Sequence, residues 1–199
     1  MRLLRTSLVT MAILLVSFAS QAQTVPEIAA AHDPADGPLA LTLSPSFPVA
    51  DIDTLRQSAD LIVEGMVTRA RTHLSSNERS IQTTFTVAVS HVIRDQRSAL
   101  EAAADVHTVE VTEVGGTLQI NGRTIIETDS SGHPLASGDT VVLFLKKVQP
   151  QDRSYGIHGG PYGAYQVRDG KVFSYIAENL TRLVRFEGAR VDELIAAIQ

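Results

Sequence analysis

The chain predicts an all-β fold with short helices: a small antiparallel barrel with a C-terminal helix. Three observations carry this. Several short runs of alternating or continuous apolar residues read as strands, two turn dipeptides join neighbouring runs, and no long helical pattern separates the strands as a parallel α/β sheet would require. Closure would also protect the sheet's edges.

The elements come after two segments of different character. Residues 1–22 hold Arg2 and Arg5, an uncharged run from Leu8 to Phe18, and then Ser20-Gln21-Ala22. This is the pattern of a secretory signal peptide cleaved near Ala22, which makes the mature chain extracytoplasmic, either periplasmic or secreted. The apolar run is about eleven residues against the roughly twenty of a membrane-spanning helix, so no stable membrane insertion is expected. Cleavage removes two of the 17 Lys and Arg and none of the 22 Asp and Glu, taking the formal net charge from −5 to −7. Such an acidic chain has no electrostatic reason to bind nucleic acid. It has no cysteine, which excludes disulfides, thiolate metal sites and the acylated cysteine of a lipoprotein. Residues 23–50 contain Pro26, Pro34, Pro38, Pro45 and Pro48 with little apolar periodicity, and predict a disordered tether. Residues 51–199 have the length of one domain.

Within that domain, Asp51 or Asp53 can cap a short helix ending near Ser58. Leu61 to Val67 reads as a strand apolar on both faces, with a bulge at Glu64-Gly65. Ile81 to Arg94 alternates cleanly: Ile81, Thr83, Phe85, Val87, Val89, His91 and Ile93 take one face, and Gln82, Thr84 and Thr86 begin the other. Ser98 to Asp105 is alanine-rich and predicts one or two helical turns. His107 to Val114 alternates again and stops at Gly115-Gly116. Leu118 to Ile120 and Arg123 to Ile125 flank Asn121-Gly122, whose preference for positive φ suits a two-residue hairpin. Asp129 to Asp139 is rich in turn residues, and Thr140 to Leu145 reads as a central strand. Asp169-Gly170 predicts a second hairpin. Val191, Leu194, Ile195 and Ile198 fall at the spacing of a helix stripe.

Three segments also carry a family resemblance: Ser58 to Val67, Gly138 to Leu145, and Tyr162 to Val167. In this order they resemble a group of secreted bacterial proteins of undefined function, with an ADxxVxGxV opening, a G-apolar-LFL strand and a late G-x-[FY]-x-V hairpin. The opening is more distantly similar to the OB-type barrel of netrin modules and tissue inhibitors of metalloproteinases, which implies an OB-like barrel for residues 51–199. The inhibitors act through an N-terminal cysteine, and this chain has none.

Chemistry is sparse. His73, His91, His107, His133 and His158 show no metal-ligand spacing, no Gly-x-Ser-x-Gly elbow is present, and Ser130-Ser131-Gly132-His133 is a polar turn. His91 and His107 share the phase of apolar strand residues, which reads as rings buried at a barrel end. Glu110 and Glu113 point to opposite faces of a regular strand and read as solvated. No cofactor is implied, and no residue is assigned a catalytic or metal-ligating role. The stretch from Tyr155 to Tyr165 stands apart, because glycine permits close backbone approach and tyrosine offers an apolar face with a polar tip. Tyr155, His158, Tyr162 and Tyr165 are the candidate ligand-binding residues; the same composition also describes a loop covering a barrel mouth. The leading expectation is a non-catalytic module that binds a protein, peptide or glycan through this loop. The alternatives are a metal-assisted hydrolase using His133 and His158, and a structural envelope component.

Overall fold

The computed structural model describes residues 23–44, 47, 50–98, 105–132, 134–149, 154–176 and 185–199. The expected leader and His133 lie outside them, as does most of the alanine-rich segment. Helices α1 (Val25–Ala31), α2 (Ile52–Ser58) and α3 (Val191–Ile198) accompany ten strands among the described residues. These are β1 (Leu39–Leu43), β2 (Leu61–Leu74), β3 (Ile81–Asp95), β4 (Thr108–Val114), β5 (Gly116–Ile120), β6 (Arg123–Asp129), β7 (Thr140–Lys146), β8 (Gly156–Ile157), β9 (Ala164–Arg168) and β10 (Lys171–Ser174).

The larger sheet has seven strands in the order β10-β9-β7-β2-β3-β4, with β8 added to one end of β7. The mostly β character and the C-terminal helix agree with expectation, but the strand path is open from β10 to β4, so the ladders do not close a barrel. β7 explains the continuous apolar run. Val142 and Phe144 face a layer built from Ile52, Leu55, Leu194 and Ile198 of α2 and α3. Val141, Leu143 and Leu145 pack on the other face with Val63, Val67, Phe85, Val87 and Val111. Burial on both faces leaves no place for polar alternation.

Both hairpins form where expected. Asn121 and Gly122 join β5 to β6 with φ of 51° and 78°, and Asp169 and Gly170 join β9 to β10 with φ of 51° and 74°. Asp51 caps α2 by accepting from the Thr54 N–H at 2.7 Å. The register shifts between Glu64 and Gly65, matching the expected bulge. There the backbone of β3 comes so close that a Cβ on Gly65 would collide with the Ala88 carbonyl.

Two expectations need correction. Residues 23–44 are folded rather than a tether. Thr24 and Glu27 form a capping box at the start of α1, and Val25 and Ala29 pack with Ile81 and Ile125. The Val25 N–H donates to the Glu78 carbonyl at 2.8 Å, and β1 then pairs in parallel with β6, making the three-stranded sheet β1-β6-β5. The proline content disguised this, because Pro26 sits in the first turn of α1, where its missing N–H costs nothing. The second correction concerns His91 and His107, which are exposed. β4 pairs with β3 only as far as Ala88, so no β4 residue covers the far part of β3.

Candidate functional site

The tyrosines singled out by sequence are core residues. Tyr155, Tyr162 and Tyr165 are only 7%, 6% and 4% exposed. Tyr165 packs against Phe144 with ring centroids 6.4 Å apart, and burial pushes its phenol up to about 12. Tyr155 lies alongside β4, its N–H donating to the Glu110 carbonyl and its own carbonyl accepting from the Thr112 N–H, each at 2.8 Å. Tyr162 lies in the 3-10 turn Gly160–Gly163, packed with the α2 and α3 layer. The glycines serve close approach within the chain: a Cβ on Gly163 would collide with the His158 carbonyl. The tyrosine rings of the expected recognition loop therefore face inward.

His158 is half-buried, and its Nε2 lies 2.7 Å from the Ser58 hydroxyl. That hydroxyl donates its one hydrogen to the Thr54 carbonyl at 2.6 Å, so His158 must be the donor to Ser58. With the serine hydrogen on the Thr54 carbonyl, the pair is a staple between the loop and α2. Burial, reinforced by Lys146 and opposed by Asp60, holds the imidazole below its usual range. Among the described residues no three His, Asp or Glu side chains gather in a way that could hold a metal ion.

A concave polar surface lies instead on the outer face of β2, β3 and β4. A cleft of about 220 Å³ is lined by Arg69, Arg71, His73, Thr84, Thr86 and Glu110. Strand register explains why these six meet. Arg69 pairs with Thr86, which pairs with Glu110; Arg71 pairs with Thr84, which pairs with Thr112. With a side-chain period of two, Arg69, Arg71 and His73 share one face of β2.

The floor of the cleft is held by a chain of hydrogen bonds. His73 Nδ1 lies 2.9 Å from the Leu74 carbonyl, which can only accept, so Nδ1 bears the hydrogen in the neutral ring. His73 Nε2 then accepts from the Thr84 hydroxyl at 3.0 Å, and Thr84 accepts in turn from Thr112 at 3.0 Å. Each bond polarises the next and fixes the side chains beneath the arginines. Arg69 and Arg71 are exposed, and neither forms an ion pair or side-chain hydrogen bond with another described residue. Two guanidinium groups on one strand face, over ordered hydroxyls, outweigh the single carboxylate of Glu110 that lines the same cleft and can bind carboxylate or another oxyanion. The sequence signal for this site is the Arg-x-Arg-x-His alternation at residues 69–73. Ending the strand at Val67 hid it.

A second polar group is half-buried. Asp139 accepts from the Tyr175 hydroxyl at 2.6 Å, the Gln166 amide at 2.5 Å and the Ala136 N–H at 2.9 Å. Nearby Glu113, expected to be solvated, is half-buried. Burial pushes its carboxyl up to about 7, the Leu135 N–H opposes this, and Asp129 adds to it. These contacts fasten the segment around residues 134–139 to the sheet.

Comparison with known protein families finds no family model that matches the chain, and comparison with curated proteins finds no match.

Proposed function

We propose that this protein is an extracytoplasmic, non-catalytic binding module that takes an anionic ligand in the cleft of β2, β3 and β4. The observation that carries this reading is the pair of exposed guanidinium groups, Arg69 and Arg71, without ionic partners among the described residues. On a chain of net negative charge, such a pair is a local attraction in a repulsive field, which favours a ligand that brings its charges to this spot alone. The leader pattern in residues 1–22 supports the extracytoplasmic location.

We also read the larger sheet as an OB-like barrel. What supports this is Tyr155, which lies parallel to Val111 of β4 while the next two residues, as β8, pair with β7. The ring would run from β7 through β2, β3 and β4 and return through Tyr155 and β8. In this arrangement the buried tyrosine sits at the join, and the cleft lies on the outer wall.

Isothermal titration with a polyglutamate peptide and a polygalacturonate oligosaccharide tests the binding reading. At least one should bind, with an affinity that falls as salt rises. Replacing Arg69 and Arg71 together by alanine should weaken binding by about tenfold or more, since each charge-assisted hydrogen bond is worth roughly 1.5–3 kcal/mol. Equal binding by the double variant, or none by the parent chain, would overturn the proposal.

A further inference from the structure

We infer that the anionic ligand is an extended acidic peptide that adds as a strand to the outer edge of β2 at residues 68–74. The inference rests on the proposed anionic site and is carried by how β2 is paired. β3 accompanies β2 along almost its whole length, but β7 pairs only with Leu61 to Met66. Val67 then exchanges bonds with Gly138 and Asp139. Beyond it, no described residue pairs with β2 on the side away from β3. Thr68, Arg69, Ala70 and Arg71 are all exposed. Past the bulge at Thr68, alternate residues of this edge turn their backbone N–H and C=O groups outward; the Leu74 carbonyl accepts from the His73 ring, and the others form a template that an extended peptide can complete.

The side chains supply the specificity. A strand laid beside this edge places its alternate residues directly across from Arg69 and Arg71, with Cβ atoms about 4.5–5.5 Å apart. Carboxylates two residues apart in the peptide share the rise that separates the two guanidinium groups, so both can pair at once. The residues between them would lie on the other face, beside Thr68 and the exposed Ala70; Thr72 already packs against Thr83 and Gly116 of β5, so a peptide residue there must be small. A glycan would use the charge but not the edge, since it lacks a repeating N–H and C=O pattern. None of the six residues lining the cleft is Phe, Tyr or Trp, so they offer a sugar ring no large aromatic platform.

The test uses the full chain and short synthetic peptides, followed by fluorescence anisotropy. The first peptide alternates aspartate with threonine; the second has the same composition with its aspartates adjacent. Two further versions of the first carry N-methyl groups on the aspartate amides or on the threonine amides, since only one set of N–H groups can face β2. The first peptide should bind about tenfold or more tightly than the second, and one methylated version, not both, should lose about tenfold or more. The double replacement Arg69→Ala with Arg71→Ala should remove binding of the first peptide. If the two methylated versions bind alike, or the two aspartate patterns bind alike, strand addition is wrong. If only the polygalacturonate binds, this inference falls while the anionic site stands. If neither probe binds, both fall.

Discussion

Replacing Glu113 by glutamine should change how stability depends on pH. The Glu113 carboxyl is pushed up to about 7, from an ordinary value of 4.5, chiefly because burial penalises its charged form. Below the ordinary value the group is neutral in both the folded and unfolded chain, and it costs nothing. As the pH rises from there to about 7, the unfolded chain releases its proton while the folded one keeps it, so stability falls. Above about 7 both forms are ionised and the penalty is complete. At about 1.4 kcal/mol for each pH unit, it amounts to about 3 kcal/mol. Glutamine keeps an oxygen to accept from the Leu135 N–H and cannot ionise. His158 gives a slope of the opposite sign: its lowered value costs stability as pH falls, equally in both proteins, and cancels from their difference. Urea denaturation of the two proteins between about pH 5 and about pH 8 measures that difference. The Glu113→Gln variant should gain about 2.5 kcal/mol relative to the parent across this range, the rest of the penalty being already present at about pH 5. A difference that stays constant with pH would refute the assignment of a buried, proton-holding carboxyl.

Two further outcomes test the packing. Val25→Ala should cost about 2 kcal/mol in chemical denaturation, because Val25 is 1% exposed against Ile81 and Ile125; no cost would restore the tether. Tyr162→Ala should cost about 3–5 kcal/mol by the same measurement, as expected for an aromatic core residue, whereas an unchanged denaturation midpoint would mean the ring is an exposed recognition element after all.

What could be read from the sequence was what neighbouring residues decide. Asn121-Gly122 and Asp169-Gly170 dictate their hairpins through positive φ, and the stripe of α3 is set by spacing alone. Leu194 and Ile198 of that stripe are fully buried. What escaped depends on distant partners. α1 buries only Val25 and Ala29, too few for a periodic signal, and β1 becomes a strand by pairing with β6. Residues 68–74 have no run of alternating apolar residues; they are extended because β3 runs beside them. For the same reason Arg69, Arg71 and His73 could not be joined to Thr84, Thr86 and Glu110 before the register was known. Composition marked the Tyr155 to Tyr165 stretch as unusual but could not say which way its rings turn. The α2 and α3 layer turns Tyr162 and Tyr165 inward.

The central claim, an anionic ligand held by the β2, β3 and β4 cleft, is tested most directly by mapping backbone amide chemical shifts of the isotopically labelled full chain during titration with polyglutamate and then with polygalacturonate. With a probe that binds, saturable changes should cluster at Arg69 to His73, Thr84 to Thr86 and Glu110, and vanish in the double arginine variant. Changes centred on Tyr155 to Tyr165, or no saturable change with either probe, would contradict it.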